Sequence, residues 1–334
     1  MLWHECVDGK VISVGPRSLA CRRNCGVQLA GRRSVGSSND EVRWILALGG
    51  TGHCLRCRDN ARMNFPTLAL IGGGNMASAV IGGLIQAGSP GSSIIVVEPA
   101  EAQRGVLQQR FGVRAFGEAG PGLRSAAVVV WAVKPQSFVS AAACAPQLPD
   151  ALHISVMAGV RCEAIARRTG ARRIVRTMPN TPALIGKGVA GLYANSACTE
   201  ADRRQAEQVL APTGSLIWVD QESQLDAVTA ISGSGPAYVF YLVEAMQEAG
   251  ARLGLPVDVA KRLALATFSG AAALAAQSPL SAAELRAQVT SKGGTTAAAL
   301  DVLAEREVAQ AFDQAIRAAA QRAVELGDAL DASS

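Results

Sequence analysis

The segment Thr67-Leu-Ala-Leu-Ile71-Gly72-Gly-Gly74-Asn75-Met76-Ala77 constrains this chain more than any other, because its structural period changes at a glycine turn. Leu68 to Ile71 is a short, continuously apolar run, as a strand covered on both faces requires, and it stops at Gly72. Met76, Val80, Ile81, Leu84 and Ile85 then recur at helical spacing until Gly88 ends the run. A turn from strand into helix leaves backbone N–H groups unpaired at the positive end of the helix dipole, which is a seat for a pyrophosphate. Gly72 allows the tight turn, Gly74 the close approach of phosphate, and Ala77 the packing of helix on strand. A second apolar run, Ser93-Ile-Ile-Val-Val-Glu98, closes on an acid where a carboxylate can accept hydrogen bonds from a ribose. Strand, turn, helix, strand and acid in this order predict a dinucleotide site.

The pattern continues downstream. A helical stretch (Glu101 to Arg110) precedes a short strand (Gly112 to Phe116), and Ala126 to Val133 reads as a fully buried strand ending in Lys134-Pro135-Gln136. Leu152 to Ala158 and Arg173 to Met178 are two more strands with a helix between them, and Gly188 to Ala194 and Gly214 to Val219 finish the sheet. Alternating strands and helices predict a doubly wound parallel sheet with its ligand crevice at the carboxyl ends of the strands. Lys134 and the Met178-Pro-Asn-Thr-Pro182 turn therefore belong on the cofactor side. From Asp226 to Leu330 the strand pattern disappears in favour of long helices rich in Ala, Leu, Glu and Arg, broken at 232–236, 254–256, 277–279 and 291–294. The expected domains are thus an α/β unit over 63–220 and an all-α unit over 226–330. The helical unit has a modest core of its own, so burial against a second copy is expected.

Charge separates the first 62 residues from the rest. They hold 10 Lys/Arg and 5 Asp/Glu, leaving the remaining residues with 22 of each out of 32 and 27. A neutral body with 4% aromatic residues argues against a nucleic-acid platform. No apolar stretch is expected to reach the roughly 18 residues of a membrane span, so no membrane partner is expected. The first 62 residues also hold Cys6, Cys21, Cys25, Cys54 and Cys57. Cys54-Leu-Arg-Cys57 has the spacing of half a zinc site, but no second pair matches it, and no metal is expected. Met63 stands four residues before the first strand, and residues 1–62 read as a disordered appendage or the product of an upstream start codon. Cys144, Cys162 and Cys198 lie among apolar or small residues and are expected to be buried thiols of a reducing, cytoplasmic environment.

The body carries one histidine, His153, in a predicted buried strand, and no Ser-His-Asp set or carboxylate pair in a common loop. Oxidation of an alcohol by a nicotinamide enzyme needs a base. Reduction of a C=N bond demands less: orientation, a hydrogen bond at nitrogen, and an anchor for the rest of the substrate. Two turns in the helical region offer these. Ser291-Lys-Gly-Gly-Thr-Thr296 precedes a helix at Ala297 to Ala304, so its amides form an anion nest with the Thr296 hydroxyl beside it. Ser232-Gly-Ser234-Gly-Pro-Ala-Tyr238 likewise opens a helix, with proline in its first turn. Helix caps with tight packing are the plainer account of both turns.

Taken together, Ile71 to Met76, Ala132-Val-Lys-Pro-Gln136, Met178 to Ala183, Asp226 to Tyr238 and Val289 to Thr296 resemble the pyrroline-5-carboxylate reductase family. The resemblance runs in order from Thr67 to Leu326 and does not reach residues 1–62. It implies an N-terminal Rossmann-type domain, a C-terminal all-α dimerisation domain, and a homodimer or a larger ring of dimers. It also implies hydride transfer from NADPH or NADH to the C=N bond of 1-pyrroline-5-carboxylate, the last step of proline biosynthesis. Carried over by motif, Gly72, Gly74, Asn75, Met76, Ala77, Glu98, Ala132, Val133, Lys134 and Pro135 would contact cofactor. Ser291, Gly294 and Thr295 would hold the substrate carboxylate with Ser234 nearby, and Thr296 would hydrogen-bond the imine nitrogen. Two departures stand out. Lys292 replaces a proline common at that position, and Glu98 stands where the 2′-phosphate of NADPH would have to fit, with Arg104 placed to offset it.

Two other readings compete. A dehydrogenase of the 3-hydroxyisobutyrate or 6-phosphogluconate type shares the two-domain plan but needs a lysine in the first helix of its second domain, and Ser232 to Ala249 contains none. A non-enzymatic NAD(P)-sensing scaffold would need no anion nest in the second domain. Because Thr67 begins the first strand and nothing upstream reads as core, a chain beginning at Met63 is expected to fold and keep full activity. Loss of more than about half the activity, or a zinc content that tracks residues 1–62, would overturn that expectation.

Overall fold

The computed structural model describes residues 67–332 and, before them, the backbone of β1 (Trp3–Val7) and β2 (Lys10–Val14), which pair as an antiparallel hairpin. The other residues of the extension, with their possible zinc ligands, lie outside the described residues. The chain divides into two compact units, Met1–Arg62 and Met63–Ser334.

The second unit is organised by an eight-stranded sheet. Its strands are β3 (Leu68–Ile71), β4 (Ile94–Val97), β5 (Arg114–Phe116), β6 (Val128–Trp131), β7 (Leu152–Ser155), β8 (Arg173–Met178), β9 (Gly188–Ala194) and β10 (Gly214–Trp218). They lie in the order β10-β9-β8-β7-β6-β3-β4-β5. β3 pairs in parallel with β4 on one side and β6 on the other, so the chain changes direction of winding at the carboxyl end of β3. Ligand crevices of open α/β sheets lie at such a point. β3, β4, β6 and β7 are buried at every position; β3, β4 and β6 are apolar throughout, as two-sided burial requires, while β7 also carries His153 and Ser155. The two faces carry separate cores. Leu70, Val96, Val130 and Ile154 pack under α1 (Asn75–Gln86), whereas Ile71, Ile95, Trp131 and Ile174 pack with Phe138 and Ile165 on the other side.

The sheet is not wholly parallel. β8 and β9 run antiparallel, while β10 returns parallel to β9. The connection at 179–187 holds only a 3₁₀ turn, Thr181–Ile185. That is short of the dozen or so residues a parallel crossover needs, so the chain must double back.

α2 (Glu101–Phe111), α3 (Phe138–Cys144), α4 (Cys162–Thr169) and α5 (Glu200–Leu210) cover the sheet. After β10 the chain is helical: α6 (Gln224–Val228), a π turn (Thr229–Gly233), α7 (Gly235–Arg252), α8 (Val257–Gln277), α9 (Ala282–Gln288), α10 (Thr295–Glu305) and α11 (Val308–Ala332). The expected break at 232–236 is thus a widened helical turn rather than a loop. Thr229 and Ser232 turn their hydroxyls back onto the carbonyls of Leu225 and Val228, which lets the turn widen without stranding those oxygens.

These helices bury little. α7, α9 and α10 contain no buried residue, and α8 buries only Ala260 and Ala264 while leaving Leu263, Leu265 and Leu274 exposed. By length and composition α8 could cross a membrane, with a mean hydropathy of 1.2. The expectation that no stretch reaches span length is corrected on this point. Lys261 and Arg262 interrupt α8, but its alanines, leucines and Phe268 keep the average high. A single such helix is weak evidence of a span.

The thiols divide. Cys162 is buried and Cys198 half-buried, but Cys144 is exposed, contrary to expectation. The buried residues of α3 are Phe138 and Ala142, and Cys144 falls two positions beyond Ala142, off that face.

His153 is a core residue with both ring nitrogens engaged. Trp131 Nε1 donates to Nδ1 at 3.0 Å, and Nε2 lies 3.0 Å from the Leu148 carbonyl. The neutral ring with its proton on Nε2 satisfies both bonds, and burial holds the pKa below the usual 6.5. The unfolded chain therefore binds the proton more readily than the folded one. Stability from this residue is complete above pH 6.5 and declines as pH falls below it, by at most about 1.4 kcal/mol per unit. Melting curves between pH 7.5 and 5 should show this loss, and His153→Asn should flatten the slope.

Candidate active site

The glycine turn closes against the next strand over. Gly72 has φ +101°, and a Cβ there would stand 2.6 Å from the Ala132 carbonyl oxygen and 2.8 Å from the Val133 nitrogen. Only glycine meets both the dihedral and the contact. Ala132 and Val133 are half-buried, Pro135 is half-buried, and Lys134 is exposed at the mouth. The two motifs therefore form one surface at the carboxyl ends of β3 and β6.

Gly74 is different. It is the N-cap of α1 with φ −72°, a conformation open to any residue, and a Cβ there would meet nothing within 4 Å. No side chain caps this helix and no acid occupies its first turn, so its amides face open space beside exposed Asn75 and half-buried Met76. Ala77, fully buried, seats α1 on the sheet. The gap fits a phosphate approaching the bare backbone, and the residues present suit a dinucleotide.

Glu98 stands beside the same turn, but its carboxylate is engaged by the chain itself. It accepts the N–H of Gly73 at 2.9 Å and that of Ala100 at 2.9 Å. Gln103, which the motifs do not single out, donates to the Gly73 carbonyl at 2.6 Å. Arg104 donates to the carbonyls of Glu98 and Pro99, so its guanidinium sits at the end of β4. The acid thus braces the glycine turn from behind. Sequence spacing could reach only its position at the strand end.

The Met178–Pro182 turn and the Ser232–Pro236 segment come together. Pro236 has no N–H to return to the Ser232 carbonyl, and Asn180 Nδ2 supplies that bond at 3.1 Å. Asn180 Oδ1 accepts from Val189 at 3.0 Å, and a Cβ on Gly233 would stand 2.6 Å from Met178 Cε. Ser234 is half-buried at the start of α7. Asn180 is the joint here, visible in sequence only as the middle of a turn.

The Ser291–Thr296 turn opens α10. Gly294 caps α10, its N–H bonded to the Ser291 carbonyl at 3.0 Å, with no side-chain cap and no acid in the first turn. The helix begins at Thr295, earlier than the sequence suggests, which brings Thr295 and Thr296 into its first turn. Ser291, Lys292 and Thr295 are exposed, and Gly294 and Thr296 half-buried. Among the described residues no hydrogen bond joins this turn to the glycine turn of α1. Each is an open helix N-terminus suited to an anion.

Comparison with known proteins agrees with both halves. Residues 67–159 match the family described as NADP oxidoreductase, coenzyme F420-dependent, and residues 222–326 match pyrroline-5-carboxylate reductase dimerisation. The chain is 43% identical over 271 residues to the pyrroline-5-carboxylate reductase of Pseudomonas aeruginosa, covering 80% of this chain and 99% of that protein. With the Haemophilus influenzae enzyme of that name the identity is 40%, over 79% of this chain and 98% of the relative. The fold superimposes on a pyrroline-5-carboxylate reductase from Coxiella burnetii with a TM-score of 0.73 and 37% identity, covering 79% and 99% of the two chains. For the Plasmodium falciparum pyrroline carboxylate reductase with NADP bound, the TM-score is 0.70 at 26% identity, covering 78% and 98%.

The two glycines predict separable effects. Gly74→Ala should leave the melting temperature unchanged while weakening dinucleotide binding, because its Cβ enters only the space a phosphate would take. Gly72→Ala should cost about 1–3 kcal/mol of stability through overpacking and backbone strain. Thermal melting beside fluorescence titration with NADH and NADPH measures both, and equal dinucleotide affinity in Gly74→Ala would remove that residue from the site.

Proposed function

The chain belongs to the pyrroline-5-carboxylate reductase family, and on that premise we propose that it reduces the C=N bond of 1-pyrroline-5-carboxylate to give L-proline, with NADPH or NADH as reductant. The observation that carries this reading is the pair of uncapped helix N-termini, Gly74 of α1 and Gly294 of α10, one in each half of the chain. The first suits a pyrophosphate and the second a carboxylate.

The dinucleotide supplies the hydride when bound. This chain's residues place the partners. The amides from Gly74 to Met76 receive the pyrophosphate, and Ala132 to Pro135 wall the mouth of the crevice. Ser291, Gly294 and Thr295 hold the substrate carboxylate, with the positive Lys292 beside them. Ser234 lines the neighbouring turn. Thr296 hydrogen-bonds the ring nitrogen, whose charge changes as the neighbouring carbon takes up hydride. A protonated imine needs no protein base to become electrophilic, which accounts for a site without histidine or a carboxylate pair. The dehydrogenase alternative lacks its lysine between Ser232 and Ala249, and a sensing scaffold leaves the Gly294 nest without a purpose.

We further propose that the domain limits are 63–220 and 226–330 and that the protein works in the cytoplasm as a homodimer or a ring of dimers. The exposed apolar side chains of α8, Leu263, Leu265 and Leu274 among them, are the surface a second copy would cover.

NAD(P)H oxidation on adding 1-pyrroline-5-carboxylate tests the activity. Thr296→Ala should lower kcat/KM about tenfold to a hundredfold, the worth of one hydrogen bond strengthened in the transition state. Dinucleotide affinity should stay nearly unchanged, and Thr296→Ser should recover most of the loss. A stable Thr296→Ala protein with unaltered kcat/KM would take this residue out of the site.

A further inference from the structure

The two ends of the helical region are tied to adjacent residues of the sheet domain, Arg161 and Cys162. Arg161 lies in the loop that leaves the carboxyl end of β7, as the N-cap of α4. Its Nη2 donates to Asp328 Oδ1 at 2.6 Å and its Nη1 to Asp331 Oδ2 at 2.5 Å, both near the end of α11. The next residue, Cys162, gives its N–H to Glu222 Oε1 at 2.7 Å, and Glu222 stands where the chain enters the helices. The same oxygen accepts from Arg176 Nη1 at 2.7 Å, a guanidinium of β8 that is only 7% exposed. Backbones also touch at this point: a Cβ on Gly327 would stand 3.3 Å from the Gly159 carbonyl and 3.4 Å from Arg161 Nη2.

A fork of two N–H donors on two carboxylates one helical turn apart fixes direction as well as distance. Ion pairs this exposed add little to stability, so their chief consequence is geometric. α11 spans 25 residues, about 37 Å, and its far end follows α10, the helix opened by Ser291–Thr296. A rotation at Arg161 is therefore carried through α11 and α10 to the substrate turn.

We infer that Arg161, through Asp328 and Asp331, is a positioning residue that sets the angle at which the helical domain leaves the sheet, and with it the approach of the substrate turn to the dinucleotide turn. This rests on the reductase reading above. In a dimer built through the helices, the same angle sets that approach whichever copy supplies the turn. Hydride transfer needs reacting atoms about 3–3.5 Å apart, and a displacement of about 1 Å can cost a hundredfold in rate.

The test is a single-turnover experiment: the full-length protein loaded with NADPH or NADH is mixed with excess 1-pyrroline-5-carboxylate, and the reduced-nicotinamide absorbance is followed. The amplitude counts competent sites and the rate constant reports the hydride step. Arg161→Ala, and separately the double variant Asp328→Asn with Asp331→Asn, should keep the amplitude and the dinucleotide affinity within about twofold while the rate constant falls about tenfold. Arg161→Lys should recover part of the rate. A reduced amplitude with an unchanged rate constant would make the cluster merely structural and overturn the inference, as would no change in either. Should Arg161→Ala fail to fold, the aspartate variant, which keeps the size of both side chains, decides by the same criterion. Wild-type protein that does not turn over this substrate would defeat the reductase reading and the inference with it.

Discussion

The close approach of the Gly72 backbone to Ala132 and Val133 is the contact on which the rest of the site depends. It occurs where winding of the sheet reverses, between β3 and β6, and it can occur only because residue 72 has no side chain. From that contact the direction of α1 follows, and with it the open amides at Gly74. Glu98 and Gln103 then grip the Gly73 peptide from the other side, one on its N–H and the other on its neighbouring carbonyl. The cradle is therefore held by covalent geometry and hydrogen bonds before any ligand arrives, which reduces the ordering cost of binding.

The acid at the end of β4 is held by the chain itself. Its two oxygens accept from the Gly73 and Ala100 N–H groups. It is a brace for the glycine turn, tying the end of β4 to the turn that opens α1. Arg104, held on the carbonyls of Glu98 and Pro99, brings a positive charge to the same strand end. The charge at this strand end is thus set by a pair of residues rather than by the acid alone.

The helical half is stabilised differently. Its helices bury few residues within one chain, and they are joined to the sheet at defined points: Asn180 on the Ser232 carbonyl, Glu222 on Cys162, and Arg161 on α11. Polar ties of this kind specify orientation better than they add stability. A large apolar surface is left for burial elsewhere, and the match of residues 222–326 to a dimerisation family accords with that.

What the sequence determined by itself was whatever is local. Period and punctuation located the strands β3 to β10 and the helices after β3, β4 and β7, while α3 escaped notice; continuous apolar runs mark β3, β4 and β6, and glycines mark the turns. The motifs at 72–77, 132–135, 232–238 and 291–296 were legible for the same reason: an open helix N-terminus is written in a few adjacent residues. The tertiary structure decided everything that depends on residues distant in the chain. Only it could reveal that β9 turns antiparallel, that the segment at 232 continues as a π turn, that Cys144 faces outward, that Glu98 holds Gly73, and that Arg161 meets Asp328 and Asp331 across the length of the chain. Pairings of that kind depend on where the backbone brings a side chain, and local periodicity carries no record of it.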